Sequence, residues 1–226
     1  MPDFSPDNNK LTLKVVFYGP ALSGKTTNLM QLHTLLNPER KGELMVLETR
    51  DDRTLFFDML PLGLKGISGF DLRLKLYTVP GQVQHDSTRK AVLSRADGVV
   101  FVADSQLNQQ DNNAIAFGNL EENLDKVGLD IDTLPMVVQF NKRDLPRVAG
   151  ERELQDRWAD TPWAPLIMAS ALKGEGVIQT FRSLLDRLYT RVDEEFRLAE
   201  THGINRQEFV DRLGRSSKSE VPHGYL

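Results

Sequence analysis

Apolar residues recur along this chain of 226 residues in short strand-like runs separated by stretches of helical spacing. The segment LTLKVVFY (11–18) is rich in β-branched and aromatic residues and predicts a strand that runs straight into a glycine-containing loop. TTNLMQLHTLL (26–36) spaces its apolar residues along one helical face, and Pro38 marks the end. LMVLE (44–48) and TLFFDML (54–60) predict short strands, and FDLRLKLYTV (70–79) alternates as a half-exposed strand does. Together, 44–79 predicts strands at one edge of a sheet. A helix is expected in VQHDSTRKAVLSRA (83–96). DGVVFVAD (97–104) and PMVVQF (135–140) are nearly continuous apolar runs, the pattern of strands covered on both faces. A polar helix over 109–127, a short one over 151–159, a strand PLIMAS (165–170) and a long amphipathic helix over 175–198 complete the alternation. The pattern predicts a doubly wound α/β fold with a mostly parallel sheet and helices on both faces.

The last stretch has another character. In NRQEFVDRLG (205–214), Asn205 reads as the N-cap and Gly214 as the stop of one short helix, and the SSKSEVPHGYL beyond is polar. The pattern separates a body over 10–195 from an extension over 196–226. Phe196, Leu198, Phe209, Val210 and Leu213 form an apolar stripe in the extension, which suits either packing on the body or a partner-binding arm.

Composition narrows the classes. Hydrophobic residues make up 40%, enough for a substantial core, and 28 basic against 32 acidic residues leave a net charge of −4. That mild acidity argues against a nucleic-acid-binding footprint. With no cysteine, disulfides, thiolate metal sites and thiol lipidation are excluded. The polar start MPDFSPDNNK and the lack of a membrane-spanning apolar window predict a soluble, cytoplasmic protein without a membrane anchor of its own.

Two motifs carry chemistry. Gly19 to Thr26, GPALSGKT, fits G-x-x-x-x-G-K-[ST] between a predicted strand and a predicted helix. In such a loop successive backbone N–H groups and the positive end of the helix meet phosphate oxygens. Lys25 is placed to neutralise the β- and γ-phosphates, and the Thr26 hydroxyl to ligate Mg²⁺. Ala21, Leu22, Ser23, Gly24 and Thr27 complete the phosphate contacts, Thr27 more as a helix opener than as a catalytic group. A phosphate loop does not select the base. NKRD (141–144) follows directly on PMVVQF, and in such a turn the Asp144 carboxylate can accept both edge protons of guanine. Asn141 can bond the guanine edge, and the Lys142 stem can lie over the ring. SAL (Ser170, Ala171, Leu172) ends the next predicted strand and can offer the base a backbone N–H. Adenine would leave the Asp144 carboxylate unpaired, so the expected ligands are GTP and GDP with Mg²⁺.

These residues resemble the Ras-like P-loop GTPases, and closely the MglA family of bacterial polarity and gliding-motility GTPases. The resemblance runs over roughly 10–192. It is carried by YGPALSGKTTNL, DDRTLFFDMLPL (51–62), LYTVPGQVQHDSTRK (76–90), DGVVFVADSQ (97–106) and NKRDLP (141–146). It implies that 10–195 is a small GTPase domain switching between GTP and GDP. It also implies a roadblock dimer of the MglB type as GTPase activator, and polarity or motility effectors that read the GTP form. The implied state is a monomer that meets a dimeric regulator, recruited to a cell pole or motility complex. By the same resemblance Thr54 reaches Mg²⁺ and the γ-phosphate, and Arg53 is an arginine finger supplied by the chain itself. Gln82, next to Gly81, positions the attacking water. Those tasks suit these residue types, since phosphoryl transfer needs an aligned water and added positive charge. Taken alone, Arg53 also reads as a solvated surface charge.

Two positions stand out. Thr78 occupies the place where GTPases generally carry a metal-associated aspartate, and Asp58 on the neighbouring predicted strand is the candidate replacement, or else a solvent-facing strand residue. Ala21 departs from the family, which has glycine there. A methyl group towards the γ-phosphate predicts GTP binding with slow hydrolysis, unless neighbouring residues have adjusted. Three functions stay open on the residues: a hydrolysing switch, a GTP-loaded binding module with negligible turnover, and a P-loop kinase or ATPase, which would not need NKRD.

Overall fold

In a computed structural model, residues 2–5, 9–36, 42–47, 57–65, 70–80 and 86–216 are described. Their strands are β1 (Asp3–Ser5), β2 (Lys10–Tyr18), β3 (Met45–Leu47), β4 (Phe57–Lys65), β5 (Asp71–Thr78), β6 (Gly98–Asp104), β7 (Met136–Asn141) and β8 (Ile167–Met168). The helices are α1 (Lys25–Leu35), α2 (Asp86–Leu93), α3 (Gln110–Lys126), α4 (Glu151–Trp158), α5 (Val177–Phe196), α6 (Leu198–His202) and α7 (Arg206–Leu213). The sheet runs β3-β4-β5-β2-β6-β7-β8, with β1 paired to β2 off this path. From β5 to β8 the pairings are parallel, and β3 and β4 join antiparallel at one edge. This is the mostly parallel α/β sheet with helices on both faces that the sequence pattern predicts.

The period of two sorts side chains onto the faces. Leu11, Leu13, Val15 and Phe17 of β2 join the cluster under α1 and α5, while Val16 and Tyr18 join the one under α2 and α3. β6 divides in the same way: Val100 and Val102 on the first face, Val99, Phe101 and Ala103 on the second. All its residues are buried, as its unbroken apolar run predicts. A fully buried phenylalanine such as Phe181 contributes on the order of 1.5–3 kcal/mol.

Some elements differ from the sequence pattern. β4 runs through Pro61 to Lys65 rather than ending near 60. The Pro61 carbonyl accepts from the Gly42 amide at 2.9 Å, so its missing N–H also faces that side, where β3 pairs only with 57–59. Proline is tolerated at such an unladdered position. β8 is shorter than the predicted 165–170. β1 was not expected; it pairs antiparallel with Lys10–Thr12, ahead of the stretch of β2 that pairs β6. The predicted helix over 175–198 stops at Phe196, because Arg197 turns left-handed at φ 48° and α6 begins anew.

The stripe beyond 195 packs. Leu198, Phe209, Val210 and Leu213 are buried in the α1/α5 cluster, and Phe196 packs against it. Asn205 caps α7 by accepting from the Glu208 amide, with Gly214 at the other end. Tyr189 Oη of α5 donates to the Ile204 carbonyl at 3.1 Å, and Arg206 reaches Asp186 Oδ1 at 3.0 Å.

Candidate functional site

Everything the motifs single out for phosphate follows from how β2 meets α1. The chain leaves β2 at Tyr18 and turns at Gly19, whose φ is 141°. A side chain there would run into the Val102 carbonyl of β6, so only glycine fits. Gly24 enters α1 at φ 99°, and a Cβ on it would overlap the Asn141 amide nitrogen. Leu22 is left-handed at φ 61° and 88% exposed. Ala21 is exposed and not left-handed, so its methyl group carries no backbone strain.

α1 begins at Lys25 with no acidic residue in its first turn and, among the described residues, no side-chain cap. Its first amides therefore lack intrahelical partners at the positive end of the helix. Thr26 is exposed there, and Thr27 is half-buried. Lys25 is buried, and its Nζ donates to the Gly19 carbonyl at 3.0 Å and the Pro20 carbonyl at 2.6 Å. Loss of hydration pushes its pKa down to about 7, and the charges of Arg89 and Lys142 add to the shift. Ser23 Oγ is buried, with no hydrogen-bond partner among the described residues. Among the described residues, the helix end lacks a side-chain cap, the Ser23 hydroxyl lacks a partner and the Lys25 ammonium bonds carbonyls, and this donor set fits an anion.

The other end of the site lies where β7 and β8 finish. Asn141, the last residue of β7, donates from Nδ2 to the Ser23 carbonyl and accepts at Oδ1 from the Ala171 amide, both at 2.8 Å. One side chain thus ties the phosphate loop, the NKRD turn and the SAL turn together. Lys142 is left-handed at φ 66°, and its Nζ meets buried Asp104 Oδ2 at 2.6 Å. Ser170 Oγ donates to Asp144 Oδ1 at 2.6 Å. That hydrogen bond holds the Asp144 carboxyl below the usual aspartate range; partial burial opposes it, and Lys173 and Lys142 assist. Asp144 is only partly exposed and is charged at neutral pH, with acceptor capacity remaining after the Ser170 bond. Ala171 and Ser170 are buried, whereas Leu172 is 75% exposed.

The chain is 43% identical over 185 residues to the "Mutual gliding-motility protein MglA" of Myxococcus xanthus (strain DK1622), covering 82% of this chain and 94% of that protein. The chain belongs to the MglA family. It is a small Ras-like GTPase of the gliding-motility type. No protein-family model matches it.

Within that family frame, several expected residues have no described position. Arg53, Thr54, Gly81 and Gln82 lie outside the described residues. Asp58 lies on β4 opposite Val46, and Met59 beside it pairs with Tyr77, so the register carried one step on sets Asp58 across from Thr78. Thr78 is buried at the end of β5, in register with Phe17 of β2. Among the described residues no three acidic or histidine side chains gather as a metal site. The Thr26 hydroxyl is a hard oxygen donor of the kind magnesium takes, with phosphate oxygens as its natural companions.

Other residues at the site carry no motif signal. Asp104 tethers Lys142. Arg89 of α2 is 1% exposed, donates from Nε to the Pro80 carbonyl at 3.0 Å and contacts Asn119 of α3. Nothing in the run DSTRK marks this arginine as buried; its place follows only from how α2 lies against α3 and β2. A separate cavity of about 530 Å³ opens between α3 and α4, lined by Phe101, Phe117, Phe140, Trp158 and Trp163 among others. Asp104 lines both spaces.

Proposed function

We propose that this chain is a molecular switch of the MglA type that binds GTP and GDP with Mg²⁺, hydrolyses GTP to GDP, and offers its GTP form to polarity or motility effectors. The observation that supports this reading is Asn141, which joins the phosphate loop to both turns that read the base. Gly19, Ala21, Leu22, Ser23, Gly24, Lys25, Thr26 and Thr27 surround the phosphates. Asn141, Lys142, Asp144, Ser170, Ala171 and Leu172 surround the guanine, with Asp144 accepting its edge protons. Thr54 and Gly81 serve the γ-phosphate, and Thr26, Thr54 and Asp58 serve the metal. Magnesium, when bound, neutralises phosphate charge. Gln82 aligns the water, and Arg53 adds positive charge to the transferring group.

The domain of this switch spans 10–195, with 196–226 as an extension fastened by α6 and α7. A roadblock dimer of the MglB type activates hydrolysis on a monomeric switch. The protein works in the cytoplasm and is drawn to a pole or motility complex by its partners. Among the described residues no helix is long and apolar enough to cross a membrane.

A second reading rests on Ala21. Its backbone tolerates a methyl group, and that methyl adds bulk where Gln82 and Arg53 have to meet the γ-phosphate. A displacement of up to an ångström costs about a hundredfold in rate. The chain would then act as a GTP-loaded binding module. Single-turnover hydrolysis of the wild type and Ala21→Gly, with and without a roadblock dimer, tests both readings. Acceleration of about a hundredfold in the glycine variant supports slow turnover; equal, brisk rates support an ordinary switch, and no hydrolysis in any arm refutes the enzyme.

A further inference from the structure

Below the site runs a line of buried polar side chains on the α1/α5 face. Gln139 interrupts the apolar run of β7, and the period of two sets it on the same face as Val137, beneath α1 and α5. It is fully buried, as is Asn28 in α1, and Thr180 in α5 is 1% exposed. The Asn28 and Gln139 amides pair reciprocally: Asn28 Nδ2 donates to Gln139 Oε1 at 2.9 Å, and Gln139 Nε2 to Asn28 Oδ1 at 3.0 Å. The second N–H of Asn28 goes to the Gly24 carbonyl at 3.0 Å, and that of Gln139 to Thr180 Oγ1 at 2.8 Å. The Thr180 hydroxyl donates to the Gly176 carbonyl at 2.8 Å.

Each side-chain donor in this line has an acceptor, and each amide is orientated by its neighbours. Thr180 donates to a carbonyl, so it accepts from Gln139 and needs the nitrogen of that amide. Gly24 demands the nitrogen of Asn28. The line begins at Gly176, just past the SAL turn, and ends at Gly24, the last glycine of the phosphate loop. Three apolar residues of the same size would fill this space, so the polar choice answers a need for direction rather than volume.

We propose that Asn28, Gln139 and Thr180 are positioning residues that fix the spacing between the phosphate-holding and base-holding loops, and so govern how long a guanine nucleotide stays bound. The proposal rests on guanine-nucleotide binding as read above. Two loops that each hold part of one ligand gain from being set at the ligand's own length. Asn141, itself buried, sets that length directly between the loops, and the line sets it one layer further down.

The test is the dissociation rate of fluorescent GDP from the full chain, read beside thermal melting. Thr180→Ser keeps the hydroxyl and should release GDP within about twofold of the wild type, whereas Thr180→Val strands a Gln139 N–H and should release it about fivefold faster. The triple variant Asn28→Leu, Gln139→Leu, Thr180→Val should melt near the wild type, since exchanging all partners for apolar groups is close to neutral, yet release GDP at least about tenfold faster. A purely structural role would move melting and release together. The proposal is overturned if Thr180→Val releases GDP like Thr180→Ser, or if a folded triple variant holds GDP as the wild type does. Should the triple variant fail to fold, the Thr180 pair decides: release that quickens more than the fall in melting stability accounts for supports the proposal, and release that only follows melting overturns it. Failure of the wild type to bind GDP strikes the underlying reading instead, and is seen before any variant is compared.

Discussion

The two ends of the site hold opposite charges in opposite circumstances. At the phosphate end, Lys25 is buried beside Arg89 and Lys142 with carbonyls as partners, and its charge is disfavoured. At the base end, Asp144 receives the Ser170 hydroxyl, and its charge is favoured with no base present. The protein itself supports the Asp144 charge while leaving it acceptor capacity, and gives the Lys25 charge no such support. On the proposed reading the contrast predicts a division of tasks: affinity drawn chiefly from the phosphate end, and selectivity from the base end.

The largest effect expected of this contrast is at Lys25. Lys25→Met should weaken GDP binding by about a thousandfold, the scale of removing one partner from a buried charge pair. The same change should raise the melting temperature of the nucleotide-free protein, because a poorly solvated cation is gone. Lower melting of the free variant would break the comparison. Asp144→Ala should leave free-protein melting nearly unchanged and erase about a hundredfold or more of the preference for GTP over ATP. Competition titrations read that loss directly.

A pH series separates the ends further. In the free protein Lys25 gives up its proton near pH 7, whereas the unfolded chain keeps it to 10.5. In that window the unfolded state binds more protons, so the free protein gains stability as pH rises. Bound phosphate restores the charge, so binding above pH 7 takes up a proton. GDP affinity should then fall towards about tenfold per pH unit between 7 and 9. Asp144, shifted below 3.8, contributes nothing to this slope. Calorimetric titrations in two buffers of different ionisation enthalpy measure the uptake; a flat profile counts against a desolvated Lys25. The smallest effect is at Ser170→Ala, which removes one hydrogen bond from Asp144 and should cost about 1 kcal/mol, or some fivefold in GDP affinity. Equal losses for GTP and ATP in that variant would move Ser170 out of base recognition.

Much of this architecture is written plainly in local pattern. An unbroken apolar run marks β6, and a run interrupted at Gln139 marks β7, because both their faces are covered, and alternation marks β5 because one face is partly open. GPALSGKT and NKRD are legible because backbone turns and phosphate geometry demand those residue types close together. What stays hidden depends on partners far away in sequence. Gln139 reads as a stray polar residue until Asn28 and Thr180 are set against it. Asp104 and Arg89 look like ordinary surface charges until β6 delivers one to Lys142 and α2 folds the other under Pro80. The part of β4 beyond Leu60 hides behind Pro61 and Gly63, which punctuate the sequence as turns but sit in the sheet where β3 does not reach. The break at Arg197 is hidden for a local reason: no glycine or proline announces it, and the capping contact to α6 comes from Asp193, whose carboxylate accepts from the Ala199 amide.

The central claim is that the phosphate loop and the NKRD turn act as one pocket for a guanine nucleotide. Its most direct measurement is a competition titration on protein stripped of ligand, with fluorescent GDP displaced by GTP, GDP or ATP. GTP and GDP should displace the probe at concentrations at least about a thousandfold below ATP, because only guanine satisfies a charged Asp144. Displacement by ATP at the same concentration as GTP would contradict the account.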